Sequence, residues 1–272
     1  MFDNTLHIPL RFYSDLEKQD RFKSYATTRK FTQYTDSLHL PEFQVRIPFG
    51  EHSFSIKLVN ASTDLDDTYT FGTGWSNSVS INEYSVSQIS QIVYDRTHSL
   101  SPGLPAGDFY LKITAGSDVV YSEVFTVGDI ADKTILVWQN TVNDLGGIIY
   151  NITPAYKNSL IFDCVLAKPE YIIEEEAVED GDGNQIPTFQ RSVKLYKFWF
   201  YGPEYIADAL SLVSLHDTVT LTTHYGMPES ETGTIYDFAM TAEWQESKGL
   251  AKITCEFRDS PIIKTTCANN LA

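Results

Sequence analysis

The sequence predicts a mainly β protein in two parts, and three observations carry that expectation. Apolar residues alternate with polar ones at period 2 in segment after segment of the 272-residue chain. Aromatic residues make up 13%, led by 16 Tyr and 16 Phe, types that favour strands and interfaces. Helical spacing is confined to one short stretch. At about 100–200 residues per domain, the length fits two domains.

Residues 1–41 read as an N-terminal arm rather than a domain. Arg11, Lys18, Arg21, Lys23, Arg29 and Lys30 lie beside Phe12, Tyr13, Phe22, Tyr25, Phe31 and Tyr34, a basic and aromatic stretch in an acidic chain. Two roles stay open for it: a segment draped over the first domain's core, or an arm that docks on an acidic neighbour.

Residues 42–130 read as strands. Phe54, Ile56 and Leu58 share one face of an alternating run. Phe109, Leu111 and Ile113 do the same between Asp108 and Thr114. The turn Ala115–Asp118 joins that strand to a second from Val119 to Val127, which makes a hairpin. A corner at Leu104-Pro105-Ala106-Gly107 precedes it. A corner followed by an aromatic strand resembles the late strands of an immunoglobulin-like β-sandwich, the fold expected for this part. Thr63 to Asn82, rich in Asp, Thr, Ser, Gly and Asn, reads as loops with short strands.

Gly128–Asp132 is the expected boundary, short enough to hold the two parts close together. Residues 131–272 read as a β-rich assembly domain with one helix. Strands are expected at Ile135–Trp138, Gly147–Tyr150 and Leu160–Leu166. Ile172-Ile173 leads through Glu174–Glu176 to a turn at Asp180–Asn184, and the chain returns from Val193 to Tyr201, giving a long hairpin with an acidic tip. Pro203 fits the first turn of a helix carrying Ile206, Ala209, Leu210 and Val213 and ending near His216. Thr218–Thr222 alternates. Phe238, Met240, Ala242 and Trp244 share a face, as do Ala251, Ile253, Cys255 and Phe257, implying antiparallel sheet with one wet face.

The net charge of −16 argues against nucleic acid and anionic lipid as partners, because both need clustered Lys and Arg. Cys164, Cys255 and Cys267 have no metal-site spacing and read as buried thiols in a reducing compartment. The segment Met1–His7 lacks the basic and apolar regions of a signal peptide, and no window is apolar enough to span a membrane.

Motifs for chemistry fail one by one. Gly74-Trp75-Ser76-Asn77-Ser78 lacks the last glycine of a nucleophile elbow. Gly72-Thr73-Gly74 opens no helix and carries no Lys, so it is no phosphate cradle. His216, Asp217 and His224 flank a strand, which places the two histidines roughly 26 Å apart if it is straight. Asp180, Asp182 and Asn184 alternate as in a calcium loop, but Gln185 stands where that loop needs glycine. No catalytic, cofactor-binding or metal-binding residue is therefore expected, and no enzyme.

The runs Leu104-Pro105-Ala106-Gly107-Asp108-Phe109-Tyr110-Leu111, Tyr121-Ser122-Glu123-Val124-Phe125, Val137-Trp138-Gln139-Asn140 and Gly147-Ile148-Ile149-Tyr150 occur in order. Leu16-Glu17-Lys18-Gln19-Asp20-Arg21-Phe22 precedes them and Cys255-Glu256-Phe257-Arg258 follows. Together they resemble tail and connector ring proteins of the crAss-like phages that infect Bacteroides. The resemblance implies a virion structural subunit, made in host cytoplasm, whose partners are identical copies in a ring and neighbouring tail or connector proteins. It brings no catalytic motif and no cofactor. The alternative reading is a carbohydrate- or cell-surface-binding sandwich that uses Trp75 and Tyr84 as stacking platforms.

Overall fold

The computed structural model describes residues 6–14, 31–48, 54–64, 66–71, 79–84, 89–94, 100, 103–142, 144–150, 156–179, 181–223, 231–244, 250–258 and 262–265. The protein is mainly β. Its first ten strands are β1 (Phe12–Ser14), β2 (Gln33–Thr35), β3 (Phe43–Pro48), β4 (Phe54–Asn60), β5 (Asp66–Phe71), β6 (Val79–Tyr84), β7 (Ile89–Tyr94), β8 (Gly107–Ala115), β9 (Asp118–Ser122) and β10 (Phe125–Val127).

These strands form two layers. One is the three-stranded sheet β3-β7-β6. The other runs β5-β4-β8, then β9 and β10 end to end along β8, with β1 antiparallel to β9 and β2 parallel to β10 on the outer side. In immunoglobulin lettering this is B-E-D against C′-C-F-G, with the first strand attached to G. The expected sandwich is thus present in its strand order.

Alternation explains the packing. Phe109, Leu111 and Ile113 of β8 and Ile56 and Leu58 of β4 turn one face toward Phe43, Val45 and Tyr94 of the opposite sheet. The other face of the same strands holds a smaller cluster of Tyr13, Val59, Tyr110, Tyr121 and Val124. The strand expected from Val119 to Val127 is divided. Tyr121 pairs with Lys112 but Phe125 pairs with Phe109, so one extra residue is accommodated between β9 and β10. Ser122 stabilises that bulge: its hydroxyl accepts from the Leu111 N–H at 2.8 Å and donates to the Glu123 carbonyl at 2.8 Å.

The described parts of the N-terminal arm belong to the body. Leu6, Ile8, Leu10, Phe12 and Tyr13 are buried, and Phe31 enters the second core. Of the two roles open for the arm, these residues take the draped one. Residues 15–30 of the arm lie outside the described residues, as do Trp75, the Gly72–Ser78 stretch and His224.

The second half supplies β11 (Thr134–Gln139), β12 (Asn158–Phe162), β13 (Val165–Leu166), β14 (Glu170–Glu179), β15 (Gln185–Pro203), helix α1 (Glu204–Ser211), a single 3-10 turn at Val213–Leu215, β16 (Thr218–Thr223), β17 (Glu231–Thr234), β18 (Tyr236–Trp244), β19 (Leu250–Arg258) and β20 (Ile262–Thr265). The large sheet continues from β2 through β12, β11, β16 and β17, crossing at the pair Phe162–Gln33. The facing sheet is β13-β15-β19-β18, with β14 and β20 also on β15. Between the layers lie Trp138, Phe162, Phe198, Phe200, Ile253 and Cys255, with α1 contributing Ile206 and Leu210.

Two expected strands differ. Gly147–Tyr150 is no strand, because Gly146 and Gly147 take φ of 59° and 80° and fold the chain into a tight turn closed by the Leu145–Ile148 bridge. Leu160–Leu166 is split at Asp163-Cys164, where the chain leaves the large sheet to pair with the other.

The Gly128–Asp132 link lies between two cores that share residues across it. Ile148, Tyr150 and Tyr156 complete the first core, and Phe31 belongs to the second. The seam is hydrogen-bonded as well. The Gln44 amide bonds both the carbonyl and the N–H of Ile149, at 2.6 and 2.9 Å. Arg46 donates to the Gly147 carbonyl at 3.1 Å, and the Ser159 hydroxyl donates to Glu42.

Candidate interaction surface

The residues weighed for chemistry are structurally employed where they are described. His216 is 9% exposed, and both ring nitrogens are engaged: Nδ1 with the Leu212 carbonyl at 2.7 Å, Nε2 with the Tyr150 hydroxyl at 2.6 Å. A carbonyl only accepts, so Nδ1 carries the proton and Nε2 accepts from Tyr150. Tyr150 in turn accepts from the Asn158 amide at 2.6 Å, and Asn158 accepts from the Tyr156 hydroxyl at 3.1 Å. Burial pushes the His216 imidazole below its ordinary value and the Tyr150 phenol well above its own. The neighbouring Asp217 carboxylate accepts the N–H and hydroxyl of Thr141 at 2.9 and 2.7 Å, which holds it below the usual carboxylate range. Among the described residues no three His, Cys, Asp or Glu side chains cluster as metal ligands.

Cys164 and Cys255 are buried, and burial raises the Cys164 thiol to about 11 and the Cys255 thiol well above its ordinary value.

A groove of about 260 Å³ lies where Phe31 and Thr32 meet Asp163, Val165, Trp199 and Tyr201. Its groups are engaged by the chain itself. Asp163 holds Lys133 at 3.1 Å and the Tyr34 hydroxyl at 2.8 Å. The Lys252 ammonium stands 5.5 Å from the centre of the Trp199 ring, and Tyr201 meets that ring edge-on.

A different region is built for contact. β15 is 19 residues long, and β19 and the core accompany only its C-terminal part from Leu195. From Gln185 to Ser192 it runs past the end of β19, paired with β14 on one side and β20 on the other. The result is the hairpin expected from the sequence, now seen as a ribbon projecting beyond the core. Pairing fixes its faces. Tyr171 lies opposite Lys194 and Ile173 opposite Ser192, on the face that is core-facing farther along β15. There the opposing layer is missing, and Tyr171 and Ile173 are 68% and 73% exposed. Val178, nearer the tip, is also exposed. Fully burying such a side chain is worth about 1.5–3 kcal/mol, a gain this chain forgoes at each.

The outer backbone edge of β14 pairs with no other strand among the described residues. Ten residues of free edge with exposed apolar side chains is an invitation to a partner strand. Its charge limits which partner. From Glu170 to Gln190 the sequence has seven carboxylates and no Lys or Arg. Glu170 reaches Lys197 at 3.2 Å and Glu174 reaches Arg191 at 3.6 Å. Glu175, Glu176 and Glu179 have no ion-pair partner among the described residues. A second acidic strand is repelled, and a basic one is favoured. Sequence patterning found the hairpin and its acidic tip. It missed the exposure of Tyr171 and Ile173, because whether an apolar strand residue is covered depends on where the facing sheet stops.

No family model matches the chain, and no curated protein matches it. Among solved structures, the crystal structure of the Dpr2 Ig1-Ig2 fragment in complex with DIP-Theta Ig1-Ig3 is similar at 8% identity, over 90% of this chain and 91% of that one, with a TM-score of 0.15. A likeness at that score carries no argument about fold or partner, and the sandwich assignment stands on strand order alone.

Proposed function

We propose that this chain is a non-enzymatic structural subunit of a phage tail or portal-tail connector ring, acting through contacts with identical copies and neighbouring virion proteins. The projecting ribbon carries the reading: a sheet extension with a free edge that exposes Tyr171 and Ile173 among its carboxylates gains its missing layer from another chain. The resemblance to ring proteins of crAss-like phages supports the same role. So does the body behind the ribbon, two sandwiches locked by shared cores and a hydrogen-bonded seam, which suits a rigid part repeated around an axis. The test is an image of the parent particle at a resolution that traces chains. The expected result is a ring in which the β14–β15 ribbon lies against a neighbouring chain. A ribbon that meets only solvent in every copy refutes the assembly role assigned to it.

A further inference from the structure

We infer that the seam between the two sandwiches carries an acid-sensitive latch, in which the His216 ring holds the Leu145–Tyr150 loop in place only while its Nε2 is free of a proton. The geometry is a hydrogen-bond chain that runs in one direction. The Tyr156 hydroxyl donates to Asn158 Oδ1 at 3.1 Å, the Asn158 amide donates to the Tyr150 hydroxyl at 2.6 Å, and that hydroxyl donates to His216 Nε2 at 2.6 Å. Every donor points toward His216, so the chain ends on one lone pair. The far side of the ring imposes that direction, because Nδ1 must donate to the Leu212 carbonyl at 2.7 Å.

Protonation removes the terminal acceptor. Nε2 would then face the Tyr150 hydroxyl as a donor, and the hydroxyl's other partner, the Asn158 amide, already donates to it. Either Tyr150 withdraws, or its hydroxyl and the Asn158 amide both turn over and the bond donated by Tyr156 is broken. Each course breaks a hydrogen bond among side chains that are fully buried.

The latch acts across the seam because its members belong to different bodies. Tyr150 fills the first core beside Ile148, whereas Asn158 lies in β12 and His216 follows the 3-10 turn of the second half. The loop that Tyr150 anchors is also what the first sandwich grips, through Gln44 on both polar groups of Ile149 and Arg46 on the Gly147 carbonyl. Two carboxylates face the latch. Asp217, next in the chain and held by Thr141, favours the imidazolium, and Asp144 accepts the Tyr150 N–H at 3.1 Å from within the loop. Burial opposes them and sets the ring's titration below its ordinary value, so the latch is closed at neutral pH and opens in mild acid.

The test is backbone hydrogen exchange on the purified full chain, read by mass spectrometry beside an NMR titration of the His216 ring. Between about pH 7.5 and pH 5, after correction for the intrinsic rate, peptides holding residues 144–150 should exchange about tenfold faster, the scale of one lost buried hydrogen bond. Peptides from β19, in the second core, should accelerate by less. The rise in the loop should share its midpoint with the His216 ring. It should be absent in His216→Gln, whose amide carbonyl can accept from Tyr150 at either pH. No rise, a rise with a different midpoint, a rise that persists in the variant, or an equal acceleration in β19 overturns the inference. The midpoint comparison uses the unaltered chain, so the inference can be refuted even where the variant does not fold.

Discussion

β15 passes through two environments along one strand, and the difference shows what buries an apolar residue. Between Phe198 and Phe200 it lies under the large sheet, and both rings are at most 5% exposed. Beyond Leu195 its partner β14 presents Tyr171 and Ile173 at 68% and 73% exposure on the same face of the same sheet. Side-chain type and pairing are alike in the two places; the opposing layer is not. An alternating pattern fixes which face is apolar, but only tertiary structure decides whether that face is covered.

The comparison is most easily broken in the covered half. Phe198→Ala removes a ring that packs against Phe162, Phe200 and Phe257. It should cost about 3–5 kcal/mol, read as a lowered urea midpoint with an unchanged slope. A cost below 1 kcal/mol would mean that this part of β15 is no more enclosed than the ribbon.

The seam between the two sandwiches gives the next largest effect. Gly147 has φ of 80°, and an added Cβ would stand 1.9 Å from a guanidinium nitrogen of Arg46. Gly147→Ala must both strain the backbone and displace Arg46, and should destabilise by about 1–3 kcal/mol. If the halves were independently stable and merely adjacent, the substitution would move one unfolding transition and leave the other; a shared core predicts one transition, shifted as a whole.

His216 sharpens the same point through pH. Its folded-state value is lowered by burial, so the unfolded chain binds the proton more readily. The stability conferred by the neutral ring is complete above the unfolded value of 6.5 and declines as pH falls below it toward the folded value. Geometry gives the reason: a protonated Nε2 would aim a donor at a Tyr150 hydroxyl that already donates to it. In His216→Gln this part of the acid sensitivity should disappear, so the mutant's urea midpoint between pH 7 and 5 should change less than that of the unaltered chain. An equal or steeper fall in the mutant would remove His216 from the account.

Much of the frame was legible because it rests on period 2. Phe54, Ile56 and Leu58, the hairpin around Gly116, the helix behind Pro203 and the faces of β19 all follow from local alternation or turn chemistry. Two features did not. Gly147–Tyr150 has strand composition, but consecutive left-handed glycines turn it into a loop whose Ile148 and Tyr150 fill the first core. Phe12 and Tyr13, read as possible docking groups, are absorbed by β9 and the core beneath it. The glycine pair is a local turn signal that strand composition outweighed; the burial of Ile148, Tyr150, Phe12 and Tyr13 has none, since it depends on contacts with residues about 100 positions away. The ribbon stands between these cases. Its strands and acidic tip were readable, but its exposure was not.

The smallest effect on stability is expected where the largest effect on assembly is. Tyr171→Thr with Ile173→Thr keeps β-branched or strand-compatible residues on β14 and removes only side chains that already face water. Neither residue belongs to a core cluster, so unfolding should change by no more than about 0.5 kcal/mol. The same pair covers the face where the facing sheet is missing. In the assembly reading, that face is filled by a neighbour and its apolar groups supply the affinity, because exposed ion pairs along the ribbon are worth only about 0–1 kcal/mol each and are screened by salt. The double variant should therefore fold normally, unfold at an unchanged urea midpoint and fail to enter the particle. Incorporation at the level of the unaltered chain would show that the exposed side chains are incidental. A marked loss of stability would show that Tyr171 and Ile173 are covered by this chain's own residues, and the contrast between the two halves of β15 would then disappear.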